Sequence, residues 1–431
     1  MEATEYAETV IVGAGQQGCG VAASLQDVGH ESLVLERGEI GQAWAHERWD
    51  SLLVGSGIRS IRFPGREFTS DNPDASLSGP ELARLLRAYA TERGLRVREH
   101  TLVEKVECPP HAAGDDVRFR TRLGTGGVVE SRNLVAAVGG YAAPRIPALA
   151  AALAPSVHQL HSRHYLNPHS LPAGAVLVVG AGISGQQIAD ELADAGRSVF
   201  VSVGRHRAWP HRYRGRGIHE WIFAFGLYED FVTHNTGGPS VLPGLPVTVV
   251  TGGGSDLNLG TLAEKGVVLV GSVRAADGRT LTLADNVRST VEQSARAFRQ
   301  VLDAIDAGID RRGFVVPEQR PAPRVRTDHV ADFGTRLDLA QHGITSVIWC
   351  TGFGPDYRIL PPEVLDGRGA PRQEKGLLGA VPGLYYAGLP NGESLASVAI
   401  SANVDNGRFI AGQIHADHVM RTGSAASLIL T

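Results

Sequence analysis

The chain has 431 residues, of which 43% are hydrophobic and 20% charged, with a formal net charge of −4. That length exceeds one ordinary core and implies two or three domains, while the charge offers no general attraction for nucleic acid or an anionic membrane. No apolar run reaches the roughly 18 residues of a membrane helix, and the acidic start MEATEYAETV lacks the basic and apolar regions of a signal peptide, so a cytoplasmic protein is expected.

The first element is an apolar strand at 9–12, followed by Gly13, Gly15 and Gly18 in the spacing G-x-G-x-x-G. A helix from about residue 16 carries Val21, Ala22 and Leu25 on one face, and Gly29 ends it. A second strand at 32–35 is closed by Glu36. In such a unit the first glycine permits a tight turn, the second admits a pyrophosphate, and the third lets helix and strand pack closely. The helix N-terminus offers unpaired N–H groups to phosphate. An acid about 20 residues on accepts hydrogen bonds from ribose hydroxyls. This stretch reads as a dinucleotide site with a carboxylate, which suits FAD.

Ser78-x-x-Glu81 then forms a capping box with Pro80 in the first turn, and it predicts a helix over 81–93. Strands are expected near 95–107, 117–122 and 128–138, and the glycine- and proline-rich AAVGGYAAPRIPAL marks a boundary. Residues 176–185, VLVVGAGISG, repeat the strand and the glycines as Gly180, Gly182 and Gly185. A helix at 186–195 and a strand at 198–203 follow, but no acid closes that strand; the chain continues as GRHRAWPHRYRGR. A ribose 2′-phosphate needs cations and is repelled by carboxylate, so this second site favours NADPH. Arg205 is best placed, Arg207 and Arg212 stand in support, and Trp209 is a candidate cover for the adenine. The alternative use of these arginines is a solvated surface loop.

Residues 286–310 repeat apolar positions at three and four and predict an amphipathic helix whose default role is domain packing. Buried strands at 346–350 and 383–390 are expected to complete the first sheet, with a helix from about 394 to 418. The fold class is α/β: two Rossmann-like dinucleotide-binding domains, the NADPH domain (166–324) inserted into a discontinuous FAD domain (1–165 and 325–431). His158, His161 and His164 stand three apart, but no carboxylate or cysteine joins them, and no metal is expected. Cys19, Cys108 and Cys350 form no C-x-x-C, which disfavours a dithiol centre.

These residues resemble the single-component FAD- and NADPH-dependent monooxygenases, the flavin-containing monooxygenase-like group, and in particular its short bacterial members. GQAWAHERWDSL (41–52) is similar to the family's G-x-x-W segment along the flavin nucleotide, HSRHY (161–165) to the end of its identifying motif, RYRGR (212–216) to its arginine-rich segment, and TGFGPDY (351–357) to its domain-linking segment. The resemblance adds Gln17, Arg37, Gln42, Trp44, His46, Val103, Ser184 and Thr351 as cofactor-binding candidates. It implies hydride transfer from NADPH to flavin, addition of O2 as a C4a-hydroperoxyflavin, and oxygen transfer to nitrogen or sulfur of a small molecule, or to a heterocycle. Where many members place an asparagine beside the reactive flavin position, this chain has Gly55 and Ser56, which makes Ser56 a candidate donor, with Asn391 as a second from the GLPNGESL segment. Baeyer–Villiger oxygenation, NADPH oxidation with release of peroxide, and a redox-sensing flavoprotein are the alternatives. The expected partners are a small substrate and O2, with no nucleic acid and no membrane; a homodimer is left open.

Overall fold

The computed structural model describes residues 4–73, 75–110, 117–206, 209–227, 256–318, 334–375, 377–389 and 400–423. In chain order the first half supplies β1 (Thr4–Val12), α1 (Gln16–Asp27), β2 (Leu33–Leu35), α2 (Gln42–His46), β3 (Leu53–Gly57), α3 (Gly79–Glu92), β4 (Val97–Arg98), β5 (Val103–Glu107), β6 (Phe119–Leu123) and β7 (Val128–Ala136). Then come β8 (His158–His161), β9 (Ala175–Val179), α4 (Ile183–Asp194), β10 (Val199–Val203), α5 (Ile218–Ala224), α6 (Leu259–Glu264), β11 (Val268–Gly271) and α7 (Val287–Arg312). β12 (Ile344–Trp349), β13 (Leu384–Tyr386) and α8 (Asn403–Thr422) close the chain.

Two separate sheets organise these elements. In the first, β13, β7, β1, β2 and β4 lie side by side in parallel, and β6 and β5 extend it antiparallel from β7. In the second, five parallel strands run β8-β12-β9-β10-β11. The largely apolar strands β9 and β12 are buried, as parallel strands covered on both faces must be. The fold is the mixed α/β arrangement with two Rossmann-like units. The expectation that both late strands complete the first sheet holds for β13 only. β12 instead pairs with β8 and β9, so the second sheet draws on residues on both sides of 166–324. An apolar run carries its burial in its composition but not the identity of its neighbours, which is why the expectation placed β12 in the wrong sheet.

Local chemistry accounts for the helices. Ser78 caps α3: its Oγ accepts from the Glu81 N–H at 3.3 Å, and its own N–H donates to Glu81 Oε2 at 2.7 Å. α8 packs on α1 through small residues. A Cβ on Gly407 would lie 2.8 Å from the Gly20 carbonyl, and one on Gly20 would lie 2.9 Å from the Asn403 carbonyl. Asn403 Nδ2 also donates to the Arg62 carbonyl at 2.6 Å. α7 buries Val301, Ile305 and Ile309 against Ile218, Trp221 and Ile222 of α5, the packing role read from its periodicity. Trp209 is buried in that same cluster. The expectation that it covers an adenine gives way to a core position, because it is buried in one cluster with Tyr213, Ile218 and Trp221.

Candidate active site

The two glycine turns share one backbone pattern. Gly13 has φ +107° and Gly180 has φ +116°, the left-handed region open to glycine. Each donates its N–H to the neighbouring strand, Gly13 to the Leu35 carbonyl at 2.8 Å and Gly180 to the Ser202 carbonyl at 3.0 Å. A Cβ on Gly18 would lie 1.9 Å from the Gly13 oxygen, and one on Gly185 would lie 1.8 Å from the Gly180 oxygen, so helix and strand meet at backbone contact. The middle glycines differ from these. A Cβ on Gly15 or Gly182 meets nothing within 4 Å. Both cap their helices with no side-chain partner, leaving the first N–H groups of α1 and α4 directed into open space. Both turns therefore fit a pyrophosphate.

The ends of the second strands separate the two. Glu36 is buried beside the first turn, accepting the Ala14 N–H at 2.8 Å and the Gly38 N–H at 3.1 Å. At the second turn Arg205 is exposed, with no hydrogen bond or ion pair to another described residue. Beside it His206 is buried and pairs through Nδ1 with the Ala181 carbonyl at 3.0 Å. Ala181 follows Gly180 as Ala14 follows Gly13. The acid that receives an N–H in one turn is thus matched by an imidazole that donates to a C=O in the other. Burial pushes His206 down to about 4, so it is neutral at physiological pH. The sequence reading passed over it because a lone histidine in an arginine-rich loop carries no pattern.

The chain crosses between the sheets twice, and the crossings pair with each other. Ala143 and Pro144 lie antiparallel to Gly354 and Phe353, and the Arg145 N–H donates to the Gly352 carbonyl at 3.0 Å. His161 Nδ1 accepts the Arg163 N–H at 3.1 Å, which leaves the proton on Nε2 to be donated to the Gly352 carbonyl at 3.0 Å. Burial lowers its pKa. Phe353 is ringed by His161 at 4.7 Å, Tyr141 at 5.8 Å and the Arg48 guanidinium at 5.7 Å, and Arg48 also covers Trp44 at 5.7 Å. Burial and the nearby Arg163 lower the Arg48 pKa. Across the units, Gln187 of α4 exchanges two bonds with Leu53 of β3, at 3.1 and 3.3 Å. The fully buried Tyr165 donates to Glu191 Oε2 at 2.8 Å. Arg48, Gln187 and His206 were all missed by sequence reasoning, because each is defined by a contact far along the chain.

The remaining candidates fall as follows. Gln17 is buried and accepts from Asn406 Nδ2 at 2.9 Å. Ser184 lies in the first turn of α4. Arg37 pairs with Glu47, which also holds Arg163 at 2.7 Å. Gln42 accepts the Glu39 N–H at 3.1 Å, and Trp44 Nε1 donates to Gln16 Oε1 at 3.0 Å, setting α2 over the first turn. His46 is exposed at the end of α2. Val103 is buried in the core of the first sheet. Thr351 Oγ1 donates to the Arg145 carbonyl within the crossing. Arg212 Nη2 donates to the Gly215 carbonyl at 2.6 Å, while Arg214 pairs with Asp306 and Arg216 covers Trp221, so the arginine-rich segment spreads over three directions. Ser56 lies in β3, and nothing is described of its side chain; Arg207 and Asn391 lie outside the described residues. His158 and His164 are exposed and His161 is buried, so these three do not converge.

The family description "pyridine nucleotide-disulphide oxidoreductase" matches residues 10–216, which include both glycine turns and the first crossing. An uncharacterized oxidoreductase CzcO-like of Geobacillus kaustophilus is 28% identical over 387 residues, covering 89% of this chain and 91% of its own. Indole-3-pyruvate monooxygenase YUCCA1 of Oryza sativa is 30% identical over 195 residues, 45% of this chain and 47% of that protein. A flavin-containing monooxygenase from Stenotrophomonas maltophilia has the same fold, with a TM-score of 0.59 at 20% identity over 96% of this chain and 99% of that one. These similarities are those of the flavin-containing monooxygenase-like family. That family of oxidoreductases uses a flavin and a nicotinamide nucleotide. Among its described residues no helix is long and apolar enough to cross a membrane.

Proposed function

We propose that the protein is an FAD- and NADPH-dependent monooxygenase that delivers one atom of O2 to nitrogen or sulfur of a small molecule. The contrast between Glu36 at one turn and Arg205 at the other supports this reading. A carboxylate accepts from a ribose hydroxyl, whereas a 2′-phosphate requires a cation. In this reading FAD lies along the first turn. The N–H groups of α1 take its pyrophosphate and Glu36 its ribose, since a carboxylate with about four acceptor sites retains capacity beyond Ala14 and Gly38. NADPH lies along the second turn, with Arg205, Arg207 and Arg212 on the 2′-phosphate.

Bound flavin supplies the acceptance of hydride and the activation of oxygen. The chain binds, orients and excludes water. Gln187 and Leu53 hold α4, which begins at the second turn, against β3, the strand that carries Ser56. Ser56 and Asn391 are the candidate hydrogen-bond donors beside the reacting atoms. Thiol exchange is disfavoured: the three cysteines are unpaired with one another, and burial pushes Cys19 and Cys350 up to about 12 and Cys108 up to about 11, so none supplies the thiolate that chemistry needs.

The test is anaerobic reduction by NADPH followed by mixing with isotopically labelled O2 and a panel of amines and sulfides. NADPH should bleach the flavin, and one labelled oxygen should enter a product. A flavin that NADPH never bleaches, or complete loss of oxygen as peroxide with every panel member, would overturn the reading.

A further inference from the structure

Away from the nucleotide turns, four side chains from three distant segments meet. Glu8 is on β1, His30 follows α1, and His415 and His418 stand on one face of α8 at a spacing of three. His30 is set by the end of α1: Gly29 takes φ +80°, and the His30 N–H donates to the Leu25 carbonyl at 2.9 Å. One ligand atom from each of Glu8, His30 and His418 lies within 4.8 Å of the other two. His418 Nδ1 is 3.3 Å from Glu8 Oε1, and His30 Nε2 is 3.1 Å from His415 Nδ1.

We propose that Glu8, His30 and His418 form a binding site for a divalent transition ion of the zinc class. Tetrahedral zinc with bonds of about 2.0–2.1 Å to nitrogen and oxygen has ligand–ligand edges of about 3.3 Å. The 3.3 Å between His418 Nδ1 and Glu8 Oε1 matches such an edge. Two imidazoles with one carboxylate are a donor set for zinc, nickel or copper rather than magnesium or calcium. Arg421 Nη2 lies 3.4 Å from Glu8 Oε1 and is the competing cation, on the last turn of α8, which the ion must displace. The ion would join the start of the first sheet to the last helix. α1, 12 residues and so about 18 Å long, separates it from the pyrophosphate end of the first turn, which makes it a staple rather than part of the redox chemistry.

The experiment uses the untagged, flavin-loaded full chain, exposed to zinc chloride, dialysed against metal-free buffer and measured by elemental mass spectrometry. The wild type should retain about one zinc per chain, His418→Ala and Glu8→Gln less than about a tenth of that, and His164→Ala the full amount. Cobalt(II) added to the metal-free chain should give the visible bands of a four-coordinate ion, and these should be absent in His30→Ala. Flavin content and circular dichroism report whether each variant folds, and Glu8→Gln keeps the test open if a histidine variant does not. Wild-type retention below about a tenth of an equivalent, or equal retention by wild type and Glu8→Gln, overturns the proposal.

Discussion

Gly182→Ala should impair nicotinamide nucleotide binding while leaving the fold intact. Gly182 sits at φ −80°, ψ −169°, an extended conformation open to any residue, and the added Cβ meets no protein atom within 4 Å. Alanine is a poorer N-cap than glycine, so the fold should lose at most about 1 kcal/mol. The methyl group instead occupies the space through which a pyrophosphate reaches the N–H groups of α4. A hydrogen bond to a charged group contributes about 1.5–3 kcal/mol, so losing one weakens NADPH by about 10- to 150-fold. Stopped-flow reduction of the flavin against NADPH concentration gives the Kd, and a thermal melt gives the stability. Gly185→Ala is the contrasting variant. Its Cβ would stand 1.8 Å from the Gly180 oxygen, so strand and helix must separate, and stability should fall together with binding. An unchanged Kd in Gly182→Ala would refute the assignment of this turn to the nucleotide.

Gly15→Ala should lose FAD in the same way, read as flavin content after gel filtration with an unchanged melt of the apoprotein. Arg205→Ala should raise the NADPH Kd by about 10- to 150-fold and leave NADH unchanged, because only the 2′-phosphate interaction is removed; equal losses would refute it. His206 falls from its ordinary 6.5 to about 4 on burial, so between these values the unfolded chain binds a proton that the folded chain does not. Stability is therefore lost as pH falls from 6.5 towards 4, by about 3 kcal/mol at most from this group, and His206→Gln should flatten that limb of the denaturant-unfolding curve; parallel curves would count against it. Tyr165→Phe should cost about 1–2 kcal/mol in denaturant unfolding by removing the partner of Glu191, while leaving the NADPH Kd unchanged.

Local patterns made the turns, caps and helices legible from the chain alone. The glycine spacing, the Ser78–Glu81 box and the periodicity of α7 each lie within a few residues and act through local backbone chemistry. What escaped was set by distant contacts. β12 reads as a buried strand wherever it goes, and only its pairing with β8 and β9 assigns it to the second sheet. Trp209 looked like a ligand platform until α5 and α7 closed over it. Arg48 acquires its setting from Phe353. Glu8, His30 and His418 are commonplace residues individually, and hundreds of positions separate the first from the last.

The packing of α8 on α1 also sets an order of events during synthesis. The strands of the second sheet have all emerged once residue 349 leaves the ribosome, whereas the first still lacks β13 and its covering helix. At about 5–20 residues per second, on the order of 20–80 s pass between the appearance of Glu36 and the end of α8. Through that interval α1 has β1, β2 and α3 against it but lacks α8. Ribosome-stalled chains ending near residue 375 should therefore retain no FAD, and retention at that length would contradict this order. The second sheet is complete first and the first unit last, so the half-made chain carries α1 with the side that α8 will cover still open.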